Sequence, residues 1–124
     1  MHQSCGGFAR SRRRAEAELG TRLPPAYREF LLDSDGAEGP IGNAGYIALW
    51  SVRELVSLNE SYCVSEFVPG LTLVGGDGGN TGYGFRRNGD GFEYVEVPLV
   101  VMEPDELRVL GSTFAEMLQR IAIV

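Results

Sequence analysis

The stretch best suited to chemistry is Gly75 to Gly82, GGDGGNTG, which carries Asp77 and Asn80 and is followed by Asp90 and Glu93. Backbone amides of a glycine-rich turn can cradle phosphate, but that use requires GxGxxG, or GxxxxGK ending in Ser or Thr. Neither string can be written across Gly75 to Gly84. A calcium loop wants carboxylates at alternating positions, where Asp77 is followed instead by Gly79 and Thr81. The expectation is a tight connection between two strands, with Asp77 and Asn80 bonding the turn backbone. Two carboxylates flanking a sugar bond suffice for a glycosidase, and Asp77, Asp90 and Glu93 are expected on neighbouring loops where they could converge. A small carboxylate hydrolase is therefore the lesser alternative, since no aromatic-lined cleft can be assembled around these acids.

Other reactive groups are scarce. All 11 basic residues are arginine, which removes Schiff-base chemistry, lysine general bases and the phosphate-binding lysine of a P-loop. The one histidine, His2, sits at a terminus expected to fray, where catalytic tolerance is not met. Cys5 and Cys63 form no CxxC pair and have no histidine near them, so neither a disulfide framework nor a zinc site is expected. The reading is a protein without catalytic residues, cofactor or metal.

On charge alone the leading reading is solubility, with adhesion to a partner as the alternative. Residues 1–14 carry four arginines and no acid, whereas residues 15–124 hold the other seven against all 17 carboxylates, so 7 − 17 = −10 within a net charge of −6. A field of that sign repels phosphate backbones and attracts a basic protein. Neither nucleic acid nor a membrane is expected as partner, because no run approaches the roughly 20 apolar residues that cross a bilayer.

The elements that must position these groups follow from periodicity. At 124 residues the chain has room for one domain, compact domains running to about 100 to 150 residues; residues 8–124 are assigned to it, and 1–7 are expected to be a flexible N-terminus. Phe8, Ala15 and Leu19 set a first helix over 8–19 with Gly20 as its cap. Pro25 opens a second, with Tyr27, Phe30 and Leu31 on one face, and Asp33 to Pro40 is expected to end it in a loop. Tyr46 to Trp50 reads as a strand, with Trp50 a core anchor. Ser51 and Glu54 then form a capping box ahead of a third helix whose inner face is Val52, Leu55, Val56 and Asn59. From Leu71 the period becomes two. Leu71 to Val74 is a strand, and Tyr83 and Phe85 project from one face of the next while Gly82 and Gly84 leave the other bare for a helix or a partner's backbone. Asn88 to Gly91, NGDG, turns the chain into an antiparallel return over Phe92 to Val97, and Leu99 to Met102 extends or follows it. Thr113 and Glu116 open a closing helix striped by Phe114, Met117, Leu118 and Ile121. The fold class is α+β, helices covering a largely antiparallel sheet.

The order of these signals resembles the SUKH superfamily, the fold shared by fungal cell-wall-synthesis regulators and many bacterial immunity proteins. LGTRLPPAYREFLLDSDG is similar to its LG-x-x-LP-x-x-Y-x-x-FL-x-x-x-G opening. LWSVRELVSLNESY, PGLTLVGGDGGNTGYGF and GSTFAEMLQRI are similar to its strand-to-helix segment, glycine loop and closing helix. Gly20, Leu23, Pro24, Tyr27, Phe30 and Trp50 match fold-defining positions, and Gly76, Asp77, Gly78 and Gly79 match the glycine loop. Ser34-Asp35-Gly36 departs from the usual asparagine-glycine. The resemblance implies a non-enzymatic binding protein, in bacteria commonly one that neutralises a toxin domain by direct contact, and the lack of a membrane-crossing apolar run makes the cytoplasm the expected location. A scaffold domain in a regulatory assembly is the alternative. Contact residues are expected among the loop acids: Asp33, Asp35 and Glu38, then Asp77 and Asn80, then Asp90 with Glu93.

Overall fold

The structure, a computed structural model, describes residues 5–42 and 45–123; His2 lies outside them. The helix expected over 8–19 spans Cys5–Leu19 (α1) and ends where Gly20, in the left-handed region at φ 75°, donates its N–H to the Glu16 carbonyl at 2.9 Å. The Glu16 carboxylate then accepts the Leu23 N–H at 2.8 Å, which fixes the turn into α2, Pro25–Ser34. Pro25 sits at the helix start, where its missing N–H costs nothing.

Asp33 to Pro40 is not one loop. Asp33 and Ser34 finish α2, and after the left-handed Asp35 the chain forms an edge strand, β1, Ala37–Ile41. It pairs antiparallel with β2, Gly45–Leu49. The sequence hides β1 because neither of its faces is apolar, and Pro40 is tolerated only because the strand lies at the edge.

Ser51 and Glu54 make the predicted reciprocal cap of α3, Val52–Ser61. A single turn that periodicity missed, α4, Val64–Phe67, leads to β3, Thr72–Gly76. The glycine stretch is therefore shorter as a loop than it reads: Gly75 and Gly76 belong to β3, Thr81 and Gly82 to β4, Thr81–Asn88, and only residues 77–80 connect them. β5, Gly91–Pro98, returns along β4 with Asn88 opposite Gly91. Leu99 to Met102 is not a strand extension. It starts a connection, broken by a short 3-10 turn at Pro104–Glu106, to a further strand, β6, Arg108–Gly111. The strands lie in chain order, all antiparallel. With α5, Phe114–Ile123, this is an α+β fold.

Both faces of the sheet are covered. Ile47, Val74, Phe85 and Tyr94 pack with Tyr27 and Leu31 of α2 and with Met117 and Ile121 of α5. The Phe114 ring lies 5.7 Å from Tyr27 and 6.1 Å from Tyr94, centroid to centroid. Leu73, Val95 and Val97 meet Val64, Val68 and Met102 on the opposite side. What approaches the bare glycines of β4 is neither a helix nor a partner: Leu99 Cδ2 lies 2.7 Å from where a Cβ on Gly82 would stand, and the β3 backbone at Thr72 and Leu73 occupies the space beside Gly84. Trp50 touches both cores, donates its N–H to the Val74 carbonyl at 2.9 Å, accepts the Tyr27 hydroxyl at 3.0 Å, and stacks on Tyr62. No described helix is long and apolar enough to cross a membrane.

α5 starts with a variant of the expected cap. Thr113 Oγ1 accepts the Glu116 N–H at 3.0 Å, but the Glu116 carboxylate reaches one residue further back, to the Ser112 N–H at 2.8 Å. The Ser112 amide and hydroxyl hold this carboxyl below its ordinary value of 4.5. A depressed folded-state pKa contributes stability above the unfolded value and loses it as the pH falls through the folded one. In urea titrations between about pH 7 and pH 3, the gap between wild type and Glu116→Gln is expected to close on the acid side. A constant gap would assign the effect to packing.

Candidate functional site

One lateral row of the sheet gathers polar side chains. Leu49 faces Gly75, Gly75 faces Tyr83, Tyr83 faces Glu96, and Glu96 faces Arg108 across four successive strand pairs. Where this row runs out beyond the last turn of α5, the surface opens into a cleft of about 530 Å³. Its walls include Tyr46 of β2, Asp77 of the short loop, Tyr83, Glu96, Arg108 and Arg120.

Each wall is held by local structure. Asp77 Oδ1 accepts the N–H groups of Gly79 at 2.8 Å and Thr81 at 3.2 Å, the side-chain turn expected of it. Asn80 contributes through its backbone, its carbonyl accepting the Leu99 N–H at 2.6 Å. The Tyr46 ring lies against Gly78, where a Cβ would come within 3.3 Å of it, and its hydroxyl donates to the Glu38 carboxylate. That hydrogen bond pushes the Tyr46 phenol above its ordinary value. Tyr83 is only 6% exposed. Burial, then the Asp77 and Glu96 charges, push its phenol up to about 12, so it stays protonated at neutral pH and can donate and accept hydrogen bonds but not attack. Arg108 Nη1 stands 3.5 Å from Glu96 Oε2, its side chain 77% exposed.

The structure divides the residues singled out as contact candidates. Glu38, Asp77 and Asn80 come together at one end of the sheet through Tyr46 and the 77–80 loop. Asp33 is exposed near the end of α2. Asp35 accepts the Val52 N–H at 2.9 Å, so its charge already serves the N-terminus of α3. Asp90 and Glu93 do not converge with Asp77: Asp90 lies beyond the eight residues of β4, roughly 24 Å at strand rise, and Glu93 lies opposite Arg86, five positions or roughly 17 Å along it from Thr81. Glu93 instead pairs with Arg86, 3.0 Å across the hairpin. The convergence of Asp77 with Asp90 and Glu93 that a hydrolase reading expects is thus not formed. Among the described residues no group of three or more His, Cys, Asp and Glu is placed to hold a metal ion.

Sequence reasoning missed Glu96, Arg108 and Arg120, and read Tyr83 only as projecting with Phe85 from one face of a strand. The Tyr83–Glu96 pair was countable, because a two-residue turn, here Gly89-Asp90, fixes the register of the whole hairpin: partners sum to the same number from Asn88–Gly91 to Tyr83–Glu96. Arg108 was not, since its strand carried no signal.

No curated protein matches the chain. The sequence profile of the SMI1 / KNR4 family (SUKH-1) matches residues 13–120, a span that opens inside α1 and closes inside α5, taking in every strand of the meander and both covered faces. On that match the chain belongs to the SMI1 / KNR4 family (SUKH-1).

Proposed function

We propose that this protein is a cytoplasmic immunity-type binding protein, which neutralises a basic toxin domain, such as a nuclease, by direct contact and without covalent chemistry. The family match over residues 13–120 carries the proposal, since SUKH domains serve as binding modules and many bacterial ones as immunity proteins. Two further features support it. The excess of 17 carboxylates over 11 arginines suits a cationic partner, and the protonated Tyr83 at the cleft suits recognition rather than nucleophilic attack. The contact face is assigned to the end of the sheet with Glu38, Asp77 and Asn80, where acid, phenol and exposed loop meet.

The test is co-expression with the product of the adjacent gene, scoring growth and co-purification. Rescue with a stoichiometric complex is the expected result; a neighbour that is neither toxic nor retained favours the scaffold role. Within such a complex, Glu38→Arg is expected to slow association about tenfold at low salt and to flatten its salt dependence. Asp90→Arg, at the far end of β4, is expected to change both far less. Equal effects from the two would remove the assigned face.

A further inference from the structure

The cleft is lined by a tyrosine whose hydroxyl faces its open space. Tyr83 is 6% exposed and lines the cleft; among the described residues the one side-chain nitrogen or oxygen sealed from solvent without a partner is Arg28 Nε, so the phenol oxygen is open to the cleft. Carboxylates stand on either side: Glu96 directly opposite across β4 and β5, and Asp77 at the loop. Asp77 uses only Oδ1 for its turn, so Oδ2 is left to accept. Three oxygens from three different elements therefore share one concave space.

The protein's own Arg108 shows what fits there. Its guanidinium lies 3.5 Å from Glu96, longer than the roughly 2.7 to 2.9 Å of a charge-assisted hydrogen bond. Its side chain is 77% exposed, so few contacts hold it. This is a guanidinium already paired with the cleft's carboxylate, but through a long and solvent-exposed ion pair.

We propose that the cleft is a receptor for an arginine side chain of the partner, taken up by Tyr83, Asp77 and Glu96 as Arg108 swings aside. The proposal rests on the binding function above and specifies its chemistry. Arginine fits better than lysine because its planar fork offers five donors in fixed directions, whereas an ammonium is a compact point charge. The neutral phenol matches this use: its oxygen accepts from the guest while its proton remains available to a flanking carboxylate. Arg120 stands in the same wall, leaving the cleft with two acids against two arginines. Displacing Arg108 is thus what makes the site attractive to a cation.

The test needs no toxin. The full-length, nitrogen-15-labelled protein is titrated at low ionic strength with N-acetyl-arginine amide, and in parallel with the corresponding lysine and glutamate amides, following backbone amide shifts. Saturable shifts confined to Thr81, Tyr83, Glu96 and Arg108 are expected with the arginine probe alone. Tyr83→Phe is expected to weaken that binding about tenfold, and Glu96→Gln, which spares the core, to weaken it as well. Arg108→Ala is expected to strengthen it severalfold, because it removes the internal competitor. An equal response to the lysine probe, preference for the glutamate probe, no saturation at the cleft, or weaker binding in Arg108→Ala would each overturn the proposal. Loss of arginine binding alongside intact toxin rescue would sink this inference alone; arginine binding without any toxic neighbour would sink only the immunity role.

Discussion

Asn59→Leu is expected to cost about 3 to 4 kcal/mol, read from urea unfolding midpoints, because it strips two buried backbone groups of their partners at once. β2 pairs with β3 only at Gly75 and Gly76, which leaves the Leu73 backbone without a strand neighbour on that side. The Asn59 amide stands in for the missing residue. Its Oδ1 accepts the Leu73 N–H at 2.8 Å, and its Nδ2 donates to the Leu73 carbonyl at 2.9 Å and to the Leu55 carbonyl at 2.8 Å. Asn59 is 7% exposed and Leu73 fully buried, so water does not replace what is lost. Each unsatisfied buried group costs roughly 1 to 3 kcal/mol, against a total domain stability of about 5 to 15. Asn59→Asp separates hydrogen bonding from packing. It keeps the shape and the acceptor but sets a carboxylate against two carbonyl oxygens, which raises its folded pKa. Its stability deficit is therefore expected to shrink as the pH falls, when the protonated acid can donate again, while that of Asn59→Leu stays constant. Parallel pH profiles for the two variants would show that side-chain volume, not the amide, matters at this position.

Asn59 also marks where the sequence stops being legible. Its place on the inner face of α3 followed from the spacing with Val52 and Leu55, and all three are buried. What the amide bonds to could not be read, because that depends on β2 ending before Leu73, a fact about two strands together. The same boundary recurs elsewhere. Elements with a strong internal period were readable: α2, α3, α5 and the β4–β5 hairpin. β1 and β6 were not, because β1 is half-buried at best along its length and β6 offers four residues with only Leu110 buried. Such edge strands owe their existence to a neighbour's unpaired backbone rather than to their own side chains. For the site, Asp77 and Asn80 of the 77–80 loop were visible in the sequence. The cleft was not, since three of its walls come from a strand pairing and a helix end that only the folded sheet brings together.

The glycine stretch shows how one string can hide two physical roles, and a pair of alanine substitutions separates them. A Cβ on Gly75 would run into the Ala48 carbonyl and come within 3.1 Å of Leu49 Cα, both backbone atoms of β2. Neither can yield without parting β2 from β3, a junction of two register pairs that also ties β1 to the rest of the sheet. Overpacking against movable side chains costs about 1 to 3 kcal/mol, occasionally more; against backbone at so short a junction, Gly75→Ala is expected to exceed about 3 kcal/mol and to disturb Tyr83, its direct neighbour on β4. At Gly79 the nearest atom to an added Cβ is Asp77 Oδ1 at 3.5 Å, an ordinary contact, and the backbone is not left-handed. Gly79→Ala is expected to stay within about 0.5 kcal/mol of wild type. Urea unfolding of both variants decides it: comparable losses would mean the stretch acts as one loop, as it reads in the sequence. The predicted split assigns Gly75 to close strand packing and leaves the ligand-facing duty of this end of the sheet to the oxygens of Asp77, Tyr83 and Glu96.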